Sequence, residues 1–236
     1  MPEGFVKFPR TPHLTWLGAG SPRGDKLLAS DEAESLLRRR VAVEEKIDGA
    51  CIGFSIDAQG MLRAQSRGSY IVPGLQQQFQ PLWRWIAERE ERLRPALGAG
   101  LILFGEWCYA RHTVGYDRLP DWFLAFDIYD RHAARFWARS RRDDLAAQLG
   151  CAIVPLIAEG VFEKSALAPL MGVSRVGSEP MEGIYLRADD GSWLEQRAKL
   201  VRATWVQADE GHWSRRPLAP NQLAKGEPQQ GREQSK

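Results

Sequence analysis

The chain has 236 residues, of which 44% are hydrophobic and 26% are charged, and its formal net charge is +2. This composition is that of an ordinary globular protein, and it excludes a chain that is basic throughout. The sequence has no run of about 20 apolar residues, and its N-terminus lacks an apolar signal core. Three scattered cysteines are too few for a disulfide framework. We therefore expect no membrane contact and a cytoplasmic location.

The first half of the chain predicts a short helix followed by strands. Residues 1–30 are rich in proline and glycine and are expected to wrap over the surface, and residues 31–40 predict a helix. Three strand-like runs follow, VAVEEKI, CIGFSID and MLRAQSR, with a hairpin turn at residues 57–60 between the last two. Apolar residues at helical spacing then predict one amphipathic helix over residues 75–94, with its aromatic side chains in the core.

The second half predicts further strands. The runs LILFGEWCY and WFLAFDIYD predict buried strands. A capping box at Ser140 and Asp143 predicts a helix that ends near Gly150, AIVPLIAEG predicts one strand, and residues 163–171 predict a weak helix. The runs MEGIYLRAD and SWLEQRAKLV flank Asp189-Asp190-Gly191 and predict a hairpin. Hairpins combined with a few helices favour the α+β class with antiparallel sheets.

The predicted organisation is one domain with short extensions. Residues 1–40 form its N-terminal segment, residues 41–207 its core, and residues 208–236 a short C-terminal extension. The polar composition of residues 219–236 predicts a disordered tail. His212-Trp213 and the region of Asn221 are expected to close the domain.

Two arginine clusters leave two interpretations open. Residues 38–40 are all arginine, and five arginines lie between positions 131 and 142. Such clusters suit contacts with phosphate. A solvated helix face is an equally good interpretation.

Charged residues in strand-like runs point to a site. Lys46 ends a strand two residues before an Asp-Gly turn, and on its own this pattern fits a hairpin with a surface lysine. Glu106 and Asp127, however, interrupt strands that are otherwise apolar, and a buried charge must be paired or must bind a ligand. Glu182 starts a further strand. The charges of these separate segments therefore favour a common site.

Arg197 and Lys199 lie on one face of a predicted strand, because alternate residues share a face. If both approach Lys46, they disfavour its ammonium form and lower its pKa from about 10.4, which makes a nucleophilic amine. Cations spaced for a phosphate, with a carboxylate for a metal ion, indicate phosphoryl or nucleotidyl transfer. The sequence contains no GxxxxGK[ST] or pre-helical GxGxxG motif that would favour a P-loop or dinucleotide-binding protein.

Six short segments occur in order between about residues 41 and 202. They are Lys46-Ile-Asp-Gly49, Arg67-Gly68, Phe104-Gly-Glu-Trp107, Phe126-Asp-Ile128, Glu182-Gly183 and Arg197-Ala-Lys199. This set resembles the covalent nucleotidyltransferases, which include polynucleotide ligases and mRNA capping enzymes, and it is most similar to the ATP-dependent RNA ligase branch. The resemblance implies a nucleotidyltransferase (ATP-grasp-like) fold of antiparallel sheets flanked by helices, with the nucleotide pocket between the sheets.

The resemblance also implies roles for the matched residues. Lys46 is expected to attack the α-phosphate of ATP and to form a lysyl-AMP, with Asp48 and Lys199 as further catalytic residues. Glu182 is the expected ligand of Mg²⁺ or Mn²⁺. The residues expected to contact the nucleotide are Glu45 (through its backbone, at the adenine), Lys46, Arg67, Glu106 (at the ribose), Phe126 (stacked on adenine), Arg197 and Lys199.

The implied function is the joining of RNA 5′-phosphate and 3′-hydroxyl ends, in single strands or nicked duplexes, through an adenylylated 5′ end. A DNA nick ligase and a nucleic-acid-binding module without ligase activity stay open as alternatives. The segment after residue 207 is too short for the oligonucleotide-binding barrel of DNA ligases and capping enzymes, so the chain resembles a near-minimal catalytic domain. Cys51 stands where relatives carry Asn or Arg, which leaves open how the end is recognised, including by a protein partner.

Overall fold

The computed structural model describes residues 5–18, 26–203 and 217–225. Within these ranges the strands are β1 (Val41–Lys46), β2 (Ala50–Ile56), β3 (Leu62–Ser66), β4 (Leu101–Trp107), β5 (Phe123–Asp130), β6 (Arg135–Phe136), β7 (Ala152–Ile153), β8 (Leu156–Gly160), β9 (Gly183–Asp190) and β10 (Trp193–Val201). The α-helices are α1 (Ser30–Leu37), α2 (Leu82–Ala87), α3 (Glu90–Leu97), α4 (Arg139–Leu149) and α5 (Lys164–Leu167).

The strands form two sheets. The smaller sheet has the order β10-β9-β1-β8, and the larger has the order β3-β2-β4-β5-β6, with β7 beside β5. All pairs are antiparallel except β5 with β7, which is parallel. The chain crosses from the smaller sheet to the larger at residues 47–49, directly after Lys46. The predicted α+β class with antiparallel sheets is confirmed, and the crossing places the Lys46 segment between the sheets.

Helices cover one face of each sheet. The larger sheet packs on α2, α3 and α4, where Trp85 stacks on Phe54 with ring centroids 5.1 Å apart. The smaller sheet buries Val43 and Leu186 with Leu36 of α1 and Leu167 of α5. Because each sheet has its own apolar layer on the outer side, the opposite faces are free to carry polar residues toward one another.

Two predicted elements divide in the structure. The predicted helix over residues 75–94 is wrong: it consists of a 3₁₀ turn (Gln77–Phe79), α2 and the start of α3, because Arg89 leaves the helical conformation with φ −127° and ψ −7°. The predicted strand AIVPLIAEG divides into β7 and β8, which join different sheets on either side of Pro155.

Other elements follow the predictions closely. The helix before Gly150 begins at Arg139 after Ala138, with no side-chain cap, so the capping box at Ser140 is wrong while the predicted end is confirmed. The hairpin of β9 and β10 turns at Gly191, whose φ of +58° suits glycine. Among the aromatic side chains of residues 75–94, Phe79 and Trp85 are buried.

The two terminal segments pack against the core. In the N-terminal segment Phe8 is only 5% exposed, and residue 13 pairs with Lys199 of β10. Residues 219–225 lie within the predicted disordered tail, yet Asn221 is 6% exposed and donates to the carbonyl oxygen of Cys108 at 2.7 Å. The tail prediction is therefore wrong for these seven residues, because the amide of Asn221 satisfies buried backbone groups. His212-Trp213 lies outside the described residues.

Across the part of the chain that the structure describes, every helix is too short or too polar to span a bilayer.

Candidate active site

A cavity of about 240 Å³ opens between the two sheets. Its walls come from both sheets, from the loop after β3 and from the N-terminal segment. The predicted site residues that line it are Glu45, Lys46, Arg67, Glu106, Phe126, Glu182 and Lys199. These side chains come from segments that are up to about 150 residues apart, and the two sheets bring them to one place.

Lys46 lies at the end of β1, and its ammonium group faces two carboxylates. The Nζ atom donates a hydrogen bond to Oε2 of Glu182 at 2.5 Å, and the two side chains are 26% and 16% exposed. Glu106 stands on β4 across the cavity, where its Oε1 atom accepts a hydrogen bond from the backbone N–H of Gly49 at 3.2 Å. Lys46, the candidate nucleophile, is thus bonded to Glu182 and lies within the field of the Glu106 carboxylate.

The protonation of Lys46 differs from the sequence-based expectation. Burial works to lower the pKa of its ammonium group, but the charges of Glu182, Glu106 and Asp48 outweigh burial, and the pKa rises above its ordinary value. The expectation that neighbouring cations lower this pKa is therefore wrong for this state of the protein. The charges that act most strongly on Nζ are those of carboxylates and not of cations.

The two carboxylates next to Lys46 are themselves perturbed. Burial raises the pKa of the Glu106 carboxyl to about 8, with the charge of Lys46 opposing this rise and that of Glu182 adding to it. Burial likewise raises the pKa of Glu182, against the charge of Lys46. A positive ion that entered the cavity would favour the charged form of both groups.

Glu45 contacts a loop beside the cavity. Its backbone N–H donates to the carbonyl oxygen of Pro155 at 2.8 Å, and its Oε2 atom accepts from the backbone N–H of Arg175 at 2.8 Å. Burial raises the pKa of this carboxyl. The backbone N–H of Glu45 is thus already hydrogen-bonded within the protein. A backbone contact between Glu45 and a base would therefore use a different backbone atom of this residue.

Asp48 and Arg197 are not among the described residues that line the cavity. The Oδ2 atom of Asp48 accepts hydrogen bonds from the backbone N–H groups of Thr113 and Val114 at 2.7 and 2.9 Å, which fixes that loop. The guanidinium of Arg197 donates to Oδ2 of Asp127 at 2.7 Å and is 11% exposed. Arg197 therefore ends in an ion pair behind the cavity wall.

A buried charge network lies behind Phe126. It consists of Glu44, Asp127, Arg142 and Arg187, whose side chains are at most 2% exposed, and we call it the inner network. Arg142 donates to both carboxylate oxygens of Glu44, at 2.6 and 3.2 Å. Arg142, from the predicted basic cluster, is thus neither a phosphate contact nor a solvated side chain.

The inner network also holds the backbone of Phe126. The carbonyl oxygen of Phe126 accepts hydrogen bonds from Arg142 at 2.8 Å and from Arg187 at 3.0 Å. Arg187 comes from the smaller sheet and Phe126 from the larger, so the network connects the two walls of the cavity.

Several cavity residues were missed by the sequence reasoning. They are Phe8, Arg10, Thr11, Ile47, Val154 and Tyr185. Ile47 lies within the Lys46 motif and could have been found by adjacency, and Cys51, which follows that motif, also lines the cavity. The N-terminal residues carry no periodic pattern, and only the aromatic Phe8 in a proline-rich stretch hints at burial.

The fold is similar to that of solved RNA ligases. A substituted form of the Naegleria gruberi RNA ligase with ATP and Mn matches with a TM-score of 0.66 and 16% identity, over 88% of this chain and 59% of that chain. The same ligase with PPi matches with a TM-score of 0.65 and 16% identity, over 88% of this chain and 58% of that one. This chain thus spans less than two thirds of the length of those proteins.

The family follows from a second comparison. The family model described as RNA ligase matches residues 39–201, which is more than half of the chain. The chain therefore belongs to the RNA ligase family. A comparison with curated proteins finds no match.

Proposed function

We propose that the protein is an ATP-dependent RNA ligase that joins 5′-phosphate and 3′-hydroxyl ends through a covalent lysyl-AMP. One observation carries this proposal: Lys46 Nζ lies in a cavity between the sheets, together with the cation Lys199 and the aromatic Phe126. An amine nucleophile, a cation for phosphate and a ring for a base are the groups that adenylyl transfer needs.

In the first step, the Nζ atom of Lys46 attacks the α-phosphorus of ATP. A bond from nitrogen to phosphorus forms, and the bond from that phosphorus to the pyrophosphate oxygen breaks. The ammonium must lose a proton before the attack, and Glu182 Oε2, at 2.5 Å, is placed to accept it.

A divalent cation fits the carboxylates of this cavity. Glu182 and Glu106 are buried and have raised pKa values, so a positive ion would stabilise their charged forms. Among the described residues no group of three His, Cys, Asp or Glu side chains is placed to hold a metal ion. Magnesium is commonly bound by one or two carboxylates with substrate phosphates and water. Mg²⁺ or Mn²⁺ held by Glu182, with Glu106 nearby, would supply positive charge against the phosphate.

The remaining cavity residues suit the nucleotide. The ring of Phe126 offers a face for stacking on adenine, and Glu106 offers a carboxylate for the ribose hydroxyls. Arg67 and Lys199 offer charge to the phosphate. The adenylyl group then passes to a 5′-phosphate of RNA, and a 3′-hydroxyl displaces AMP. We propose RNA ends as the substrate on the basis of the family.

The first test is adduct formation. The protein is incubated with ATP and either Mg²⁺ or Mn²⁺, and intact-protein mass spectrometry measures the addition of one AMP. We expect the adduct in the unsubstituted protein and in Lys7→Ala, an exposed lysine outside the cavity, and its complete loss in Lys46→Ala. An adduct that persists in Lys46→Ala, or none in any protein, contradicts the proposal.

The second test concerns the nucleic acid. Sealing is compared on single-stranded RNA, nicked RNA duplex, nicked DNA and an RNA–DNA hybrid, each with a 5′-phosphate. We expect sealing of RNA ends to exceed that of DNA. Efficient sealing of nicked DNA alone would instead support a DNA ligase, and adduct formation without sealing would support a need for a partner protein in end recognition.

A further inference from the structure

The N-terminal segment supplies one wall of the cavity. Phe8, Arg10 and Thr11 line it, although none of them belongs to the six motif segments. Phe8 is buried among Phe104, Phe126 and other rings, with its centroid 5.1 Å from that of Phe126. The segment thus contacts the aromatic residue that we propose for the base.

This segment is held beside Lys199 by backbone hydrogen bonds. The N–H of Lys199 donates to the carbonyl oxygen of Pro12 at 2.9 Å, and the N–H of Leu14 donates to that of Lys199 at 2.8 Å. The hydroxyl of Thr11, a 7% exposed residue, shares a hydrogen bond of 2.8 Å with the hydroxyl of Tyr185. Arg10 therefore lies between two anchored positions, Phe8 and Thr11.

The strand order shows how the N-terminal segment enters the cavity. Lys46 is on β1, Tyr185 on the adjacent β9 and Lys199 on β10, and the N-terminal segment pairs beyond β10. At about 4.8 Å between strands, β10 lies about 10 Å from β1, and residue 13 lies one further spacing away. The segment then turns back over the cavity, where Thr11 reaches Tyr185 and the exposed Arg10 is part of the lining.

In the proposed reaction, the side of the cavity opposite Lys46 receives a phosphate group in two separate steps. In the first step Nζ of Lys46 bonds to the α-phosphorus, and the oxygen of pyrophosphate leaves. In the second step an oxygen of the RNA 5′-phosphate bonds to the same phosphorus, and the Nζ–P bond breaks. Because entering and leaving groups lie in line, pyrophosphate and the RNA 5′-phosphate both occupy the side opposite Lys46.

We propose that Arg10 binds the phosphate group that occupies this side, as departing pyrophosphate in the first step and as the RNA 5′-phosphate in the second. This inference rests on the proposed function. A guanidinium suits the role, since its planar fork donates two parallel hydrogen bonds to phosphate oxygens, whereas a lysine ammonium is a point charge. The anchors at Phe8 and Thr11 hold the backbone of Arg10 in place before the ligand arrives.

The experiment uses the full chain with Arg10→Ala, Arg10→Lys and the control Lys7→Ala. Lys7 is an exposed cation of the same segment that does not line the cavity. The lysyl-AMP protein is formed first and freed of ATP. It is then mixed with inorganic pyrophosphate in one arm and with 5′-phosphorylated RNA in the other, and the loss of AMP from Lys46 is followed. RNA with a 5′-hydroxyl serves as the blank.

We expect Arg10→Ala to slow the loss of AMP about tenfold or more below saturation, Arg10→Lys to restore part of the rate, and Lys7→Ala to stay within about twofold. If Arg10→Ala slows the loss of AMP to pyrophosphate, Arg10 binds pyrophosphate. If it slows the loss of AMP to RNA, Arg10 binds the 5′-phosphate. Rates within twofold of the unsubstituted protein in both arms would overturn the inference.

A separate titration distinguishes failure of the inference from failure of the proposed function. Inorganic pyrophosphate is titrated into the unmodified protein with Mg²⁺ by calorimetry, which requires no adduct. If the unsubstituted protein forms no lysyl-AMP, the proposed function fails by itself. Affinity for pyrophosphate about tenfold weaker in Arg10→Ala than in Lys7→Ala then still supports the role of Arg10, and equal affinity overturns it.

Discussion

Among the described residues, two charge clusters lie next to each other: the inner network and the cavity around Lys46. They differ in how their positive and negative side chains are paired. In the inner network, Glu44 faces Arg142 and Asp127 faces Arg187 and Arg197, so each buried carboxylate has a guanidinium partner. In the cavity, Glu182 and Glu106 both face Lys46, with Arg67 and Lys199 as weaker influences on their charge. The inner network is closed and internally balanced, whereas the cavity holds acidic groups with raised pKa values.

This difference separates structural charge from charge that can serve a ligand. A buried carboxylate with a bidentate arginine has little left to offer a ligand. Burial raises the pKa of the Glu106 carboxyl to about 8, so the surrounding groups do not fully compensate the negative charge of this side chain. A cation or nucleotide that bound there could compensate the charge of these carboxylates. The cavity, and not the inner network, is therefore the candidate site.

The largest effect is expected from breaking the inner network. Arg187→Met removes one of the two guanidinium partners of Asp127, a cation that also faces Glu44, and one donor to the carbonyl oxygen of Phe126. Loss of a buried cation leaves the charges of Asp127 and Glu44 only partly compensated, so the free energy of unfolding should fall by about 3–5 kcal/mol. Urea denaturation measures it, with inclusion-body expression counted as loss of stability. A fall below about 1 kcal/mol would mean that the network does not hold the two sheets together.

The next largest effect concerns pH and Glu106. Its pKa of about 8 lies above the value of an unfolded glutamate, so between about pH 5 and 8 the folded protein keeps a proton that the unfolded chain has released. The free energy of unfolding should therefore fall as pH rises through this window, by up to about 1.4 kcal/mol per pH unit, and Glu106→Gln should lack this contribution.

Urea denaturation at several pH values between 5.5 and 8.5 tests this expectation. Asp57→Asn is the matched control, because hydrogen bonds from the backbone of Met61 and from Arg63 lower the pKa of Asp57. Its stabilisation is present throughout that range and is lost only as pH falls below the ordinary pKa of an aspartate. Parallel pH profiles for Glu106→Gln and the unsubstituted protein would contradict a raised pKa at Glu106.

A smaller effect is expected in the cavity wall. Phe126→Leu keeps apolar volume but removes the ring face proposed for adenine, and stacking on a base contributes about 1–3 kcal/mol. The affinity for ATP should fall roughly tenfold, as measured by calorimetry. Tyr129→Leu, in the same strand but outside the cavity lining, should leave the affinity unchanged. Equal losses in both variants would argue against stacking at Phe126.

The smallest effect is expected at an exposed ion pair. The side chains of Glu34 on α1 and of Arg38, the residue directly after α1, are 2.7 Å apart and are 66% and 76% exposed. Arg38→Ala should change the free energy of unfolding by no more than about 0.5 kcal/mol, because solvent screens such pairs. A loss comparable with that of Arg187→Met would show that exposure does not separate the two kinds of ion pair.

Much of the candidate site could be found from the sequence because charges stand out in apolar strands. Lys46, Glu106 and Glu182 were singled out in this way, and the structure brings them to one cavity. Arg10 and Thr11 could not be found, because they lie in a segment without periodicity whose place depends on pairing with β10. The break in the predicted helix at Arg89 could not be found from the sequence either, because the helical spacing of apolar residues continues across it.

The sequence by itself determined the α+β class, most strands and the order of the six motif segments, because these depend on local periodicity and residue type. Only the tertiary structure decided which charges face one another. It paired Arg197 with Asp127 and placed Glu182 against Lys46. The pKa of a lysine depends on the sign of charges a few ångströms away, and those come from strands distant in the chain. The sequence therefore indicated Lys46 as the candidate nucleophile, and the fold decided its protonation.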